Sequence, residues 1–233
     1  MIIADYHTHT TYSHGKCSAA EAAALAYQNG IKTLAISEHG KGNVFYGLKD
    51  SDFLKLRKEI DALNELYAGE MRILLGIEAD FLGGGMTDIP NGIEFDIILV
   101  GYHRGIMPKN GFAVSALVES FTSRERIEKN TDEVLRTFDR YPDIMAMTHP
   151  NEYIRINIDR LSKEAAARGI LLEINNRHVT LTEEDLKICA SNNAHFIISS
   201  DGHLKDEICR FDNAIKVAER AGVLDRVVNW TEQ

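Results

Sequence analysis

The chain opens with an acid and three histidines inside ten residues: Asp5-Tyr6-His7-Thr8-His9-Thr10-Thr11-Tyr12-Ser13-His14, preceded by the short apolar run Met1-Ile2-Ile3-Ala4. Read as a strand leaving the core, this spacing puts Asp5, His7 and His9 on one face, because side chains alternate with period two. Two imidazoles about 7 Å apart along a strand can converge on one metal ion, and His14 follows in the first loop. A lone His-x-His pair also suits a solvated strand end. Its meaning depends on what the rest of the chain brings to meet it.

Seven short apolar, β-rich runs recur, at residues 2–6, 33–37, 72–77, 95–101, 143–147, 170–174 and 196–199, and most are followed by a helical pattern. Ser18-Ala19-Ala20-Glu21 reads as a capping box opening an Ala-rich helix that ends at Asn29-Gly30. In a helix over 51–67, Phe53, Leu56, Ile60, Leu63 and Leu66 fall on one face. Leu117, Phe121, Val134, Leu135 and Phe138 are core candidates of a helix over 116–140. Further helices are expected over 159–168, from Thr182 to Asn192, and over 212–221. Strand followed by helix, repeated, implies a parallel sheet. With no composition break, the expectation is an α/β single domain over residues 1–233, a distorted (β/α)7 TIM-like barrel, with ligands at the carboxyl ends of its strands.

At those ends stand His7, His9 and His14 after the first run, His39 after the second, and Glu78 after the third. His103 follows the fourth, His149 the fifth, and Asp201 and His203 the seventh. Any one is unremarkable at a strand end; nine on one rim imply a metal site. Imidazole and carboxylate without thiolate favour zinc, manganese or iron over calcium or magnesium. The set exceeds what one ion needs, so two or three divalent ions are expected, with Glu78 a natural bridge between them. His195 begins the seventh run instead of ending it and receives no role.

Hydrophobic content of 44% and charged content of 26% suit a globular enzyme. A net charge of -9 argues against broad electrostatic binding to nucleic acid or anionic membranes. Cys17, Cys189 and Cys209, odd in number and without C-x-x-C spacing, fit reduced thiols. With no secretory leader and no membrane-length apolar run, the expectation is a cytoplasmic protein; oligomeric state is unreadable.

Together His7-Thr-His9, His39, Glu78, His103, His149-Pro150 and Asp201-Gly-His203 resemble the PHP (polymerase and histidinol phosphatase) superfamily. The wording Gly101-Tyr102-His103, Thr148-His149-Pro150, Glu173-Ile-Asn-Asn176 and Ser200-Asp201-Gly-His203 is most similar to its small stand-alone bacterial phosphatases. The resemblance implies a (β/α)7 barrel and three metal positions: His7, His9, Glu78 and Asp201; Glu78, His103 and His149; His14, His39 and His203. It also implies hydrolysis of small phosphate monoesters by a metal-activated water, with histidinol phosphate one possible substrate. Glu78 and Asp201 are then catalytic candidates, Asp201 as a proton carrier too. Arg104 and Arg177, able to fork onto phosphate oxygens, and His178 are substrate-binding candidates. One departure is Glu38, where the family commonly has Asp, a longer side chain able to rotate His39.

Three rivals remain. An amidohydrolase barrel also begins His-x-His but often places a lysine at a middle strand, and none ends the fourth run here. A PHP-type nuclease or phosphodiesterase would call for a basic stripe with interleaved aromatics. A binding module that has lost catalysis fits poorly with so complete a ligand set.

Overall fold

A computed structural model describes residues 1–106 and 123–232. Eight strands form one sheet: β1 (Ala4–Asp5), β2 (Thr33–His39), β3 (Arg72–Gly83), β4 (Met86–Thr87), β5 (Ile97–Gly101), β6 (Ala146–Met147), β7 (Leu171–Asn175) and β8 (Phe196–Ser199). Seven run parallel in the order β1-β2-β3-β5-β6-β7-β8, and β4 folds back antiparallel on the end of β3. This is the expected α/β TIM-like barrel, nearly closed. The third strand does not stop near residue 77: its apolar run carries through Glu78 and turns at Gly83-Gly84-Gly85, all at positive φ.

The seam between β8 and β1 closes beyond the strands' named ends. Asp201 N donates to His7 O and His9 N to Gly202 O, both at 2.9 Å. At the opposite end, Asn229 is wedged into the gap. Its side-chain amide donates to Ala4 O and Ile198 O at 2.7 Å, and its oxygen accepts from Ile198 N at 3.0 Å. Such a side chain stands in for the ladder bonds the two strands do not make.

Six α-helices cover the sheet among the described residues: α1 (Ala19–Gln28), α2 (Asp50–Leu66), α3 (Arg124–Arg140), α4 (Ile158–Arg168), α5 (Glu183–Ser191) and α6 (Asp212–Ala221). Both expected starts are capping boxes, Ser18 with Glu21 and Thr182 with Asp185. Helix α4 ends at Gly169 and α6 at Gly222, each left-handed as a C-terminal stop requires. On α2, Phe53, Leu56, Ile60 and Leu63 are buried, but Leu66 is 73% exposed because it is the last helical residue, past the edge of the sheet. Val134, Leu135 and Phe138 are buried on α3; Leu117 and Phe121 lie outside the described residues.

The core has two parts. A large cluster fills the space between helices and sheet; a small one, with Ala35, Leu74, Leu99, Ala146 and Ile197, plugs the barrel interior. Alternation along β2 carries the inward face from Ala35 through Ser37 to His39. Along β3 it runs Leu74, Gly76, Glu78, and the register sets His39 beside Glu78. The interior thus changes from apolar to polar toward the carboxyl ends, where the histidines stand.

Candidate metal centre

All nine strand-end residues converge at that end. Glu78 lies at the centre, 1% exposed. Its Oε1 is 2.8 Å from His149 Nε2, 3.1 Å from His103 Nε2 and 3.3 Å from His7 Nε2. Its Oε2 is 3.2 Å from His39 Nδ1 and 3.4 Å from His9 Nε2. Asp201 Oδ1 approaches His9 and His7 at 3.6 and 3.7 Å. His203 and His14 meet Nε2 to Nε2 at 2.6 Å. Three sets have ligand atoms within 4.8 Å of one another: His7, His9 and Asp201; His39, Glu78 and His103; and His9, His14, His39 and His203.

The local backbone is shaped for this. His149 and Asp201 have φ of 24° and 51°, conformations non-glycine residues rarely adopt and which cluster at functional sites. A Cβ on Gly101 would lie 2.3 Å from Thr148 Oγ1 and 3.1 Å from the His149 ring, so only glycine leaves room for that imidazole.

Asp5 does not share the histidines' face. Its Oδ1 accepts from the amide of His7, two residues on, a turn-like contact that breaks the strand alternation. The carboxylate also accepts from Ser200 N and Cys209 N across the seam. Burial pushes its pKa up to about 6.

Around the cup, a second set of acids orients the imidazoles. His7 Nδ1 pairs with Glu173 and His103 Nδ1 with Asp80, each at 2.8 Å, and His149 Nδ1 with Glu152 at 2.9 Å. A proton on each Nδ1 donated to these oxygens leaves the Nε2 lone pair facing the centre, which is how carboxylates prepare histidine for metal. Sequence reasoning missed these roles. The signal for Asp80 was its place two residues after Glu78, hence on the same strand face. Glu38 acts on a different histidine from the one expected: its Oε1 accepts from Thr10 N at 2.8 Å and its Oε2 lies 3.6 Å from His9 Nδ1, with the Thr10 and Ser13 hydroxyls also donating to it. It braces the His9–His14 segment.

Protonation follows this geometry. Burial pulls His7 and His103 down, but Glu78 with Asp201 and Glu173, or with Asp80, outweighs it, and both end well above the ordinary value. His149 is likewise pulled down by burial yet ends at about 9 through Glu152 and Glu78. On the other side, burial and the neighbouring His9 lower His14 to about 3 and hold His39 and His203 well below the ordinary range. Burial raises Glu78, but His103 and His7 overcome it and hold the carboxyl well down.

The residues fit bound cations. Glu78 Oε2 and Nδ1 of His9, His14 and His39 are buried without a hydrogen-bond partner, although His39 Nδ1 and Glu78 Oε2 are only 3.2 Å apart. Those atoms aim past one another, and buried polar atoms are rarely left so.

The cup opens into a cavity of about 360 Å³ whose mouth includes Arg104, Arg177 and His178. Arg104 lies over the Tyr153 ring at 5.3 Å, Arg177 pairs with Glu207 at 2.8 Å, and His178 Nδ1 with Glu152 at 3.0 Å. His195 precedes β8, at the opposite end of the barrel. No helix is long and apolar enough to cross a membrane among the described residues.

Known proteins bear on this arrangement. A protein from Acetivibrio thermocellus named a probable phosphatase is 27% identical over 229 residues, covering 93% of this chain and 86% of its own. The DNA polymerase/3'-5' exonuclease PolX of Bacillus subtilis is 28% identical over 244 residues, covering all of this chain but 38% of its own. Among solved structures, histidinol phosphate phosphatase from Lactococcus lactis, complexed with zinc, L-histidinol and phosphate, superposes with a TM-score of 0.61 at 16% identity, covering 94% of this chain and 93% of that one; this likeness is one of fold. The family model for the PHP domain matches residues 5–177, and with that match the chain belongs to the PHP domain family.

Proposed function

We propose that this chain is a metal-dependent phosphatase that hydrolyses small phosphate monoesters at a multinuclear, and by ligand count trinuclear, centre. The observation that carries the reading is the gathering of seven imidazoles, Glu78 and Asp201 around one cup, with acids behind three of the rings. His7, His9, Glu78 and Asp201 would hold one ion; Glu78, His103 and His149 a second; His14, His39 and His203 a third, zinc, manganese or iron by donor type. His39 also reaches the second set, so it can lean toward either. Bound divalent ions supply Lewis acidity for the phosphoryl oxygens and lower the pKa of water toward neutrality.

The chain's own residues do the rest. Glu78 presents one oxygen to each side of the cup and fixes the spacing between sets. Asp201 Oδ2, held by Asn175 Nδ2 at 3.1 Å, faces the same space and is the carboxylate placed to carry a proton. Arg177, anchored by Glu207, stands beside His14 and His203 and is placed to donate to phosphate oxygens. Arg104 and His178 complete the substrate contacts, and the enclosing Tyr46 and Tyr153 limit water. The name of the Acetivibrio relative and the phosphate-bearing Lactococcus neighbour support the chemistry.

The test is an assay of protein stripped of metal and reloaded with manganese or zinc, given p-nitrophenyl phosphate, bis-p-nitrophenyl phosphate and single-stranded DNA. Release from the monoester alone is expected. Activity confined to the diester or DNA would move the chain to the nuclease branch, with PolX the relevant relative.

A further inference from the structure

The charged groups at the mouth of the cup are not equivalent. The two oxygens of Glu152 accept from His149 Nδ1 and His178 Nδ1, and Glu78 and Asp201 face imidazoles. Asp201 Oδ2 also accepts from Asn175 Nδ2, and the unpartnered Glu78 Oε2 is buried among the imidazoles where the proposed ions would sit, so no free carboxylate oxygen is left at the mouth. Arg177 is tied to Glu207. Arg104 differs: it is exposed, its guanidinium rests 5.3 Å above the Tyr153 ring, and no carboxylate pairs with it among the described residues. A guanidinium on an aromatic face keeps its full charge and leaves its in-plane donors free.

We infer that Arg104, on its Tyr153 platform, selects phosphate monoesters whose alcohol portion carries a second anionic group. The inference rests on the phosphatase reading and assigns its substrate class. An ammonium in the leaving portion would meet Arg104 and find no unengaged acceptor, a neutral polyol would gain little, and a carboxylate or second phosphate would complete a pair at a partly enclosed mouth. The chain's net charge of -9 repels anionic substrates at long range, so this preference is local to one side chain. A cavity of about 360 Å³ suits small phosphorylated acids.

The experiment compares kcat/KM of the metal-loaded protein for phosphoglycolate, propane-1,3-diol bisphosphate, glycerol 1-phosphate and O-phosphoethanolamine. A ratio of about tenfold or more between the acid-bearing and the ammonium ester is expected, shrinking with salt; the carboxylate and bisphosphate arms tell which anion is preferred. Arg104→Gln should bring the ratio to within about twofold and Arg104→Glu should invert it. A readout free of turnover is calorimetric binding of 3-phosphonopropionate against 2-aminoethylphosphonate. Tighter binding of the former, abolished in Arg104→Gln, supports the inference; equal binding, or a preference that survives the substitution, overturns it. If no monoester is turned over, the phosphatase reading falls while the phosphonate pair still decides the charge preference. If all are turned over equally, only the inference falls.

Discussion

On one side of the cup, His7, His103 and His149 each turn Nδ1 toward a carboxylate, the buried Glu173 and Asp80 and the partly exposed Glu152. On the other, His14 and His39 leave Nδ1 without a hydrogen-bond partner, and His203 gives its own to the Asp201 carbonyl at 2.8 Å. The same side chain is therefore held in two electrostatic settings a few ångströms apart. A carboxylate behind an imidazole raises its basicity and fixes its orientation. On the proposed multinuclear reading, the backed side would hold its ions more tightly than the unbacked side. Glu78 touches both at the centre, and Asp201 Oδ1 spans them less closely, 3.7 Å from His7 and 3.5 Å from His203.

The largest expected effect comes from removing that coupling. Glu78→Gln should lower turnover of p-nitrophenyl phosphate by more than about 100-fold and reduce bound metal at both positions it touches, read by mass spectrometry of the metal content; normal turnover would refute its bridging role. Next, Glu173→Gln should weaken metal binding by about 10- to 100-fold, through His7, with the last-retained ion becoming easier to strip. Loss of only the most weakly held ion in that variant would reverse the assignment of the two sides.

Acidity separates the sides further. His7, His103 and, at about 9, His149 hold protons at neutral pH when no cation is present. Metal binding there must displace those protons, so affinity rises with pH through neutrality toward about 9 and binding releases protons. His14, near 3, and His39 are already neutral, so binding of an ion on that side should show little pH dependence between roughly pH 6 and 8. Metal titrations in two buffers of different ionisation enthalpy would read both; parallel dependence on the two sides would break the contrast. The smallest effect is Glu38→Asp, which shortens the brace on Thr10, Ser13 and His9 and should cost about tenfold or less in metal affinity.

Much of this site was legible because a parallel barrel delivers strand ends to one rim, so His39, Glu78, His103, His149 and Asp201 could be placed by where each apolar run stops. The orienting acids were harder. Glu152 reaches His149 from the loop after β6, and Glu173 reaches both His7 and the His149 amide from β7, contacts fixed by tertiary register and not by spacing. Asp5 misled because an acid two residues before a histidine can turn to cap that residue's amide instead of following the pleat. The β4 hairpin was hidden since its strand is two residues long and its neighbours are glycines. Leu66 matched the helical period but lay one turn beyond the surface that would cover it.

Asn229 joins Ala4 to Ile198, so the first and last parallel strands are held edge to edge by a residue that follows both in the chain. A nascent chain still lacking that residue has only the backbone bonds of His7, His9, Asp201 and Gly202 to close the seam beside the cup. Ion capture should accordingly be weaker in a polypeptide that ends short of position 229 than in the whole chain.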